Sequence, residues 1–201
     1  MLLLLLSLVI PALQQQWDAT QFPNPQKGGY KQCKMRSASN VCDPDEVLSE
    51  PDRYRLHSEL LRISSRTGNT GNTYCDRKGV DVILVVVRQG SQQLADELSK
   101  LWHIDDQCKK SVVFVMSSNN RHLYYSSLVS TGLSDDEIQS IMASSDMQLQ
   151  AGHFMPTLLN IFKQVAKKTD FTLTPPRENH HKAGSPRAYH VAFLFILLIC
   201  L

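Results

Sequence analysis

The sequence has little net charge: 21 Lys and Arg against 19 Asp and Glu leave +2 over 201 residues. So small a surplus excludes a nucleic-acid partner held by phosphate neutralisation. Charged side chains are missing altogether from residues 1–17 and 188–201. Long apolar runs are missing from the interior, where the longest is Val82 to Val87. That excludes a polytopic membrane protein. The absence of any repeat period excludes a collagen-like or coiled-coil rod. No HExxH, GxSxG, GxGxxG or phosphate-binding loop occurs, so no motif marks an enzyme class. The chain also lacks a CxxC pair, which argues against a four-cysteine zinc site, and it lacks an Asn-X-Ser/Thr sequon.

What is present falls into four parts. Residues 1–16 open with MLLLLLSLVIPAL and read as a signal peptide. Residues 17–170 carry nearly all the charge and suit one extracellular domain with a core of its own. Residues 171–187 are polar, contain Pro175-Pro176, and read as a stalk. Residues 188–201 form a hydrophobic tail. Its 11 apolar residues from Val191 to Leu201 span about 16 Å as a helix, short of a bilayer core of about 30 Å. Small residues Ala183, Gly184 and Ser185 precede a polar spacer, the pattern of a glycolipid-anchor signal. A short membrane segment is the alternative, and either places the domain on the outer face of the cell membrane.

Cys200 lies in the tail. Cys33, Cys42, Cys75 and Cys108 remain, an even set in an exported domain, and predict two disulfides with three pairings open. Between them the pattern predicts an α/β domain. A short strand ends at Asn40 to Pro44. A helix follows, capped by Ser49, with Leu56, Leu60 and Ile63 on one face. Thr67 to Asp76 reads as a loop. Val80 to Val87 reads as a strand covered on both faces. A helix from Ser91 to Ile104 turns Ala95, Leu98, Leu101 and Trp102 inward. Ser111 to Ser117 and Arg121 to Ser127 form a hairpin about Asn119-Asn120. Helices are expected over Ser134 to Ser144 and Ala151 to Lys168. The order β-α-β-α-β-β-α-α gives a mixed central sheet of about four strands with helices on its faces.

Two groups of side chains are candidates for function. Asp43 and Asp45 follow the first strand, Asp105 and Asp106 the second helix, and Asp135 and Asp136 open a third. Carboxylates brought together at the C-terminal edge of a parallel sheet suit calcium, which takes six to eight oxygen ligands. Tyr124 and Tyr125 are adjacent on an expected edge strand, so one turns away from the core. With Arg121 and His122 they make a candidate partner surface.

Several segments occur in a familiar order: Trp17, Phe22-Pro-Asn-Pro, the stretch Asn40 to Ser49 (NVCDPDEVLS), GVDVILVVV, Leu101-Trp102 with Cys108, and SVVFVMSSNNRHLYYS. Through them the chain resembles the nematode modulator of levamisole receptor family, whose ectodomain is similar to the TPM domain of bacterial and thylakoid proteins. The resemblance implies an auxiliary protein, not an enzyme. It would positively modulate a levamisole-sensitive acetylcholine receptor, through the pentameric receptor subunits, at neuromuscular synapses. It also implies a second reading, since some TPM domains bind calcium or have weak phosphatase activity. On that reading Asp43 and Asp45 match the recurrent acidic motif and calcium is the one cofactor in view. A third reading is a cell-surface adhesion or interaction protein. The chain departs from the family in reaching a glycine after the hairpin only at Gly132, and in its short tail.

Overall fold

Two runs of β-branched residues organise the molecule. In the computed structural model, which describes residues 17–68, 71–128 and 131–169, these runs are β2 (Asp81–Val87) and β3 (Ser111–Ser117). They lie parallel in the middle of a four-stranded sheet. The short β1 (Val41–Cys42) pairs parallel with β2, and β4 (His122–Ser127) pairs antiparallel with β3 at the far edge. The helices are α1 (Glu50–Arg66), α2 (Tyr74–Arg77), α3 (Gln92–Leu101), α4 (Asp135–Gln150) and α5 (Phe154–Thr169).

The two-residue period of the strands divides the core into two layers. Val82, Leu84 and Val86 of β2, with Val112, Phe114 and Met116 of β3, pack against α1, α4 and α5. Ile83, Val85, Val87, Val113 and Val115 point the other way, onto α3 and the segment that precedes β1. Both faces of β2 and β3 are therefore buried, which is why their sequences do not alternate.

Local signals set the boundaries. Ser49 accepts from the Asp52 N–H and Pro51 sits in the first turn of α1. Ser134 and Glu137 form a reciprocal capping box on α4. Thr67 fastens the end of α1 to β2, donating to the Ile63 carbonyl and accepting from the Val80 N–H, both at 2.7 Å. Gly79 is needed there: a Cβ would lie 1.8 Å from the Ser64 carbonyl oxygen.

Three expectations need correction, and the segment before β1 gains detail. The loop after α1 contains the one-turn α2, nucleated by a Thr73–Asp76 capping box. The segment before β1 has two 3-10 turns, at Ala19–Gln21 and Gly29–Lys31. Helix α3 stops at Leu101, which is 48% exposed; Ala95, Leu98 and Trp102 turn in as expected, and the chain turns away at His103, with a left-handed φ of 46°. Helix α4 runs six residues beyond Ser144, whose hydroxyl donates to the Ile141 carbonyl within the helix.

The signal, stalk and tail expected over 1–16, 171–187 and 188–201 lie outside the described residues. Among the described residues no helix is long and apolar enough to cross a membrane.

Candidate functional site

The acidic candidates do not gather at one place. Asp43, at the C-terminal end of β1, is fully buried. Its Oδ1 accepts from the Val47 N–H and its Oδ2 from the Leu48 N–H, both at 2.9 Å. Arg53 Nη1 donates to the same Oδ2 at 3.2 Å and to the Leu48 carbonyl at 2.7 Å. Burial pushes the Asp43 carboxyl up, against the pull of the Leu48 and Val47 N–H groups and the Arg53 guanidinium. Asp45 faces other donors: Trp17 Nε1 at 3.1 Å and the Arg88 N–H at 2.7 Å. Every carboxylate oxygen of the pair therefore has an internal donor, and each residue fastens a loop.

Asp105 lies at the opposite end of the strands, before β3. There it takes Lys78 Nζ at 2.8 Å and the Lys110 N–H at 2.8 Å. Burial alone would raise its pKa; the Lys78 ammonium and the Lys110 and Cys108 N–H groups outweigh burial and hold it below its ordinary value. Asp106 pairs with His103, and Asp135 receives the Tyr125 hydroxyl. Among the described residues no three His, Cys, Asp or Glu side chains form a metal-holding group. The geometry gives the calcium expectation for Asp43 and Asp45 no support.

The four cysteines form Cys33–Cys42 and Cys75–Cys108. The first ties the leading segment to β1. The second joins α2 to the turn before β3, where Lys110 Nζ also reaches the Cys75 and Lys78 carbonyls. Sequence reasoning missed His57, whose Nδ1 accepts from the Asn40 N–H at 3.1 Å and whose pKa burial lowers. Only its place one residue from Leu56 on the packed face hinted at that role.

The aromatic candidates surround the free edge of β4. Antiparallel pairs alternate between bonded and non-bonded. The Leu128 N–H donates to the Ser111 carbonyl at 3.0 Å, so the main-chain groups of His122, Tyr124 and Ser126 turn toward β3. Those of Leu123, Tyr125 and Ser127 turn outward, where Gln92 Nε2 caps the Tyr125 carbonyl at 2.6 Å. The side chains divide between the two faces. His122 and Tyr124 meet edge-on at 4.6 Å on the α3 side. Tyr125 lies on the other side against Phe114, with ring centroids 6.3 Å apart. Burial and the nearby Asp135 and Asp136 carboxylates raise the Tyr125 phenol above its ordinary value. Arg121, at a left-handed φ of 53°, donates to the Gln150 carbonyl at the end of α4. The four residues thus wrap one edge and do not form one flat patch.

Between β4 and α4 runs a groove of about 530 Å³, floored by Leu123, Met142 and Leu149 and bordered by Asp146. It shares Gln92, Tyr125 and Gln139 with a second hollow of about 330 Å³ that reaches Asp96 and Asp135.

Comparison with known proteins places this architecture. The family described as modulator of levamisole receptor-1 matches residues 17–121, from the leading segment to the hairpin turn. The chain belongs to this family. The segments that carry the likeness meet in space: Trp17 bonds to Asp45, and Phe22 packs between Trp17 and Trp102, at 4.9 and 6.0 Å. The fold is also that of two bacterial domains solved by NMR. One is the N-terminal domain of a protein from P. gingivalis, with 15% identity and a TM-score of 0.60, covering 79% of this chain and 95% of that one. The other is the N-terminal domain of the cg2496 protein from Corynebacterium glutamicum, with 10% identity and a TM-score of 0.50, covering 71% and 88%. No curated protein sequence matches the chain. Two disulfides and membership of a receptor-modulator family fit an exported protein.

Proposed function

We propose that this protein is a membrane-held extracellular auxiliary subunit that positively modulates a levamisole-sensitive acetylcholine receptor by binding, without catalysis. The family match carries this reading. The committed state of the Asp43 and Asp45 carboxylates favours it over the calcium and phosphatase alternative, because neither offers a free oxygen. The contact surface is the β4 edge, with Arg121, His122, Tyr124 and Tyr125 around it. Modulation requires only that the domain bind the open receptor better than the closed one. A difference of about 1.4 kcal/mol shifts the gating equilibrium tenfold. Anchoring through the C-terminal tail raises the effective concentration, so a modest interface suffices.

The test is agonist-evoked current from a levamisole-sensitive receptor expressed with and without this protein. The wild type should increase the current. His122→Ala with Tyr124→Ala should return it toward the level without the protein, at equal surface abundance. Equal currents with and without the wild type, at confirmed surface expression, contradict the proposal.

A further inference from the structure

The β4 edge shows how a partner is held, an inference that deepens the binding reading above and rests on it. We infer that the β4–α4 groove takes an extended segment of the partner by strand addition, and that this segment carries lysine or arginine at alternate positions.

Three observations carry the inference. First, the outward main-chain groups of Leu123, Tyr125 and Ser127 have no strand beside them among the described residues. Among the described residues the single cap is the Gln92 side chain on the Tyr125 carbonyl, a flexible group that an incoming N–H can replace. An unpaired edge is a template for another strand. Second, the groove runs along that edge, with Leu123, Met142 and Leu149 on its α4 side. Alternate side chains of an added strand would drop onto Leu123 and Met142, between β4 and α4. Third, the lining is acidic. Asp96, Asp135 and Asp146 border the two connected hollows, and no Lys or Arg lines either one. The Asp146 carboxylate is exposed and makes no hydrogen bond or ion pair with a described side chain, so it can receive a cation. The same acidity disfavours a second copy of the chain, whose own β4 edge would bring like charges together.

The experiment uses the full chain and two octapeptides, one alternating lysine with valine and one alternating glutamate with valine, with amide shifts followed by NMR. The lysine peptide should bind and move the amides of Leu123, Tyr125 and Ser127. The glutamate peptide should bind at least roughly tenfold more weakly, and N-methylation of the lysine peptide's edge-facing amides should weaken it by about tenfold, as the loss of one or two net hydrogen bonds requires. Ser127→Pro removes one outward N–H and leaves the ladder to β3 intact, so it should weaken binding severalfold without unfolding the domain. Binding of the lysine peptide should weaken as salt is raised, and Asp135→Asn with Asp146→Asn should reduce that dependence. No binding of the lysine peptide, equal binding of both peptides, or indifference to N-methylation each overturns the inference. So does concentration-dependent self-association through β4. Loss of receptor modulation while the peptide still binds would instead contradict the receptor reading and leave the groove intact.

Discussion

Asp43→Ala should destabilise the domain by about 3–5 kcal/mol, the usual loss when one partner of a buried ion pair is removed. The substitution leaves the Arg53 guanidinium buried with only the Leu48 carbonyl as acceptor. It also strips the Val47 and Leu48 N–H groups of theirs. Arg53 Nε is already buried without a partner, so no slack exists on that side. The loop from Asp43 to Leu48 includes Glu46 at a left-handed φ of 53° and depends on these bonds to hold Ser49 in its capping position. Denaturant unfolding of the wild type and the variant measures the difference. Asp45→Ala should be milder, because its partners Trp17 and Arg88 lie nearer the surface. A calcium site at the pair predicts a different result: unfolding of the wild type would shift with added calcium and chelator. The internal bonding predicts no such shift.

Cys75→Ser with Cys108→Ser should remove about 3–4 kcal/mol, as loop-closure entropy gives for a crosslink spanning 33 residues. The loss should exceed that of opening Cys33–Cys42, which spans 9. The Cys75–Cys108 bridge holds α2 against the N-terminal ends of β2 and β3. Around it, Lys78 joins Asp81 and Asp105, and Lys110 reaches the Cys75 carbonyl at 2.5 Å. These polar contacts remain in the double variant, so hydrogen exchange should rise first in α2 and in the turn from Asp105 to Lys110. Using both serines avoids a free thiol. Equal stability of the double variant and the wild type would show that the polar contacts alone hold this end of the sheet.

The central strands were legible because they are written as unbroken β-branched runs, which only a sheet buried on both faces accepts. The Ser49 and Ser134 caps were legible for a similar reason: they are local, with donor and acceptor three residues apart. The disulfide pairing was not local. It depends on the parallel register that sets Asp81 beside Ser111, which brings the segments before β2 and β3 together. Periodicity misplaced Leu101 because the helix ends there and the chain turns at His103. The site was half legible. Adjacent tyrosines on a strand must face opposite ways, and they do. The groove was hidden because Asp146 and Leu149 lie past the end of α4 expected at Ser144. The acidic motif at Asp43 and Asp45 was visible as sequence. Its use was set by Arg53 on α1, Trp17 in the leading segment and Arg88 after β2, three places that only the fold joins.

The central claim is that this domain meets a receptor through its β4 edge. The most direct measurement is site-specific photocrosslinking on cells that express a levamisole-sensitive receptor together with the full chain. A photoreactive residue replaces Tyr124 in one variant and Lys163, on the exposed side of α5, in another. The account predicts receptor subunits captured from position 124 and not from position 163. Capture from position 163 alone, or no subunit from either position while the receptor is present at the surface, would contradict it.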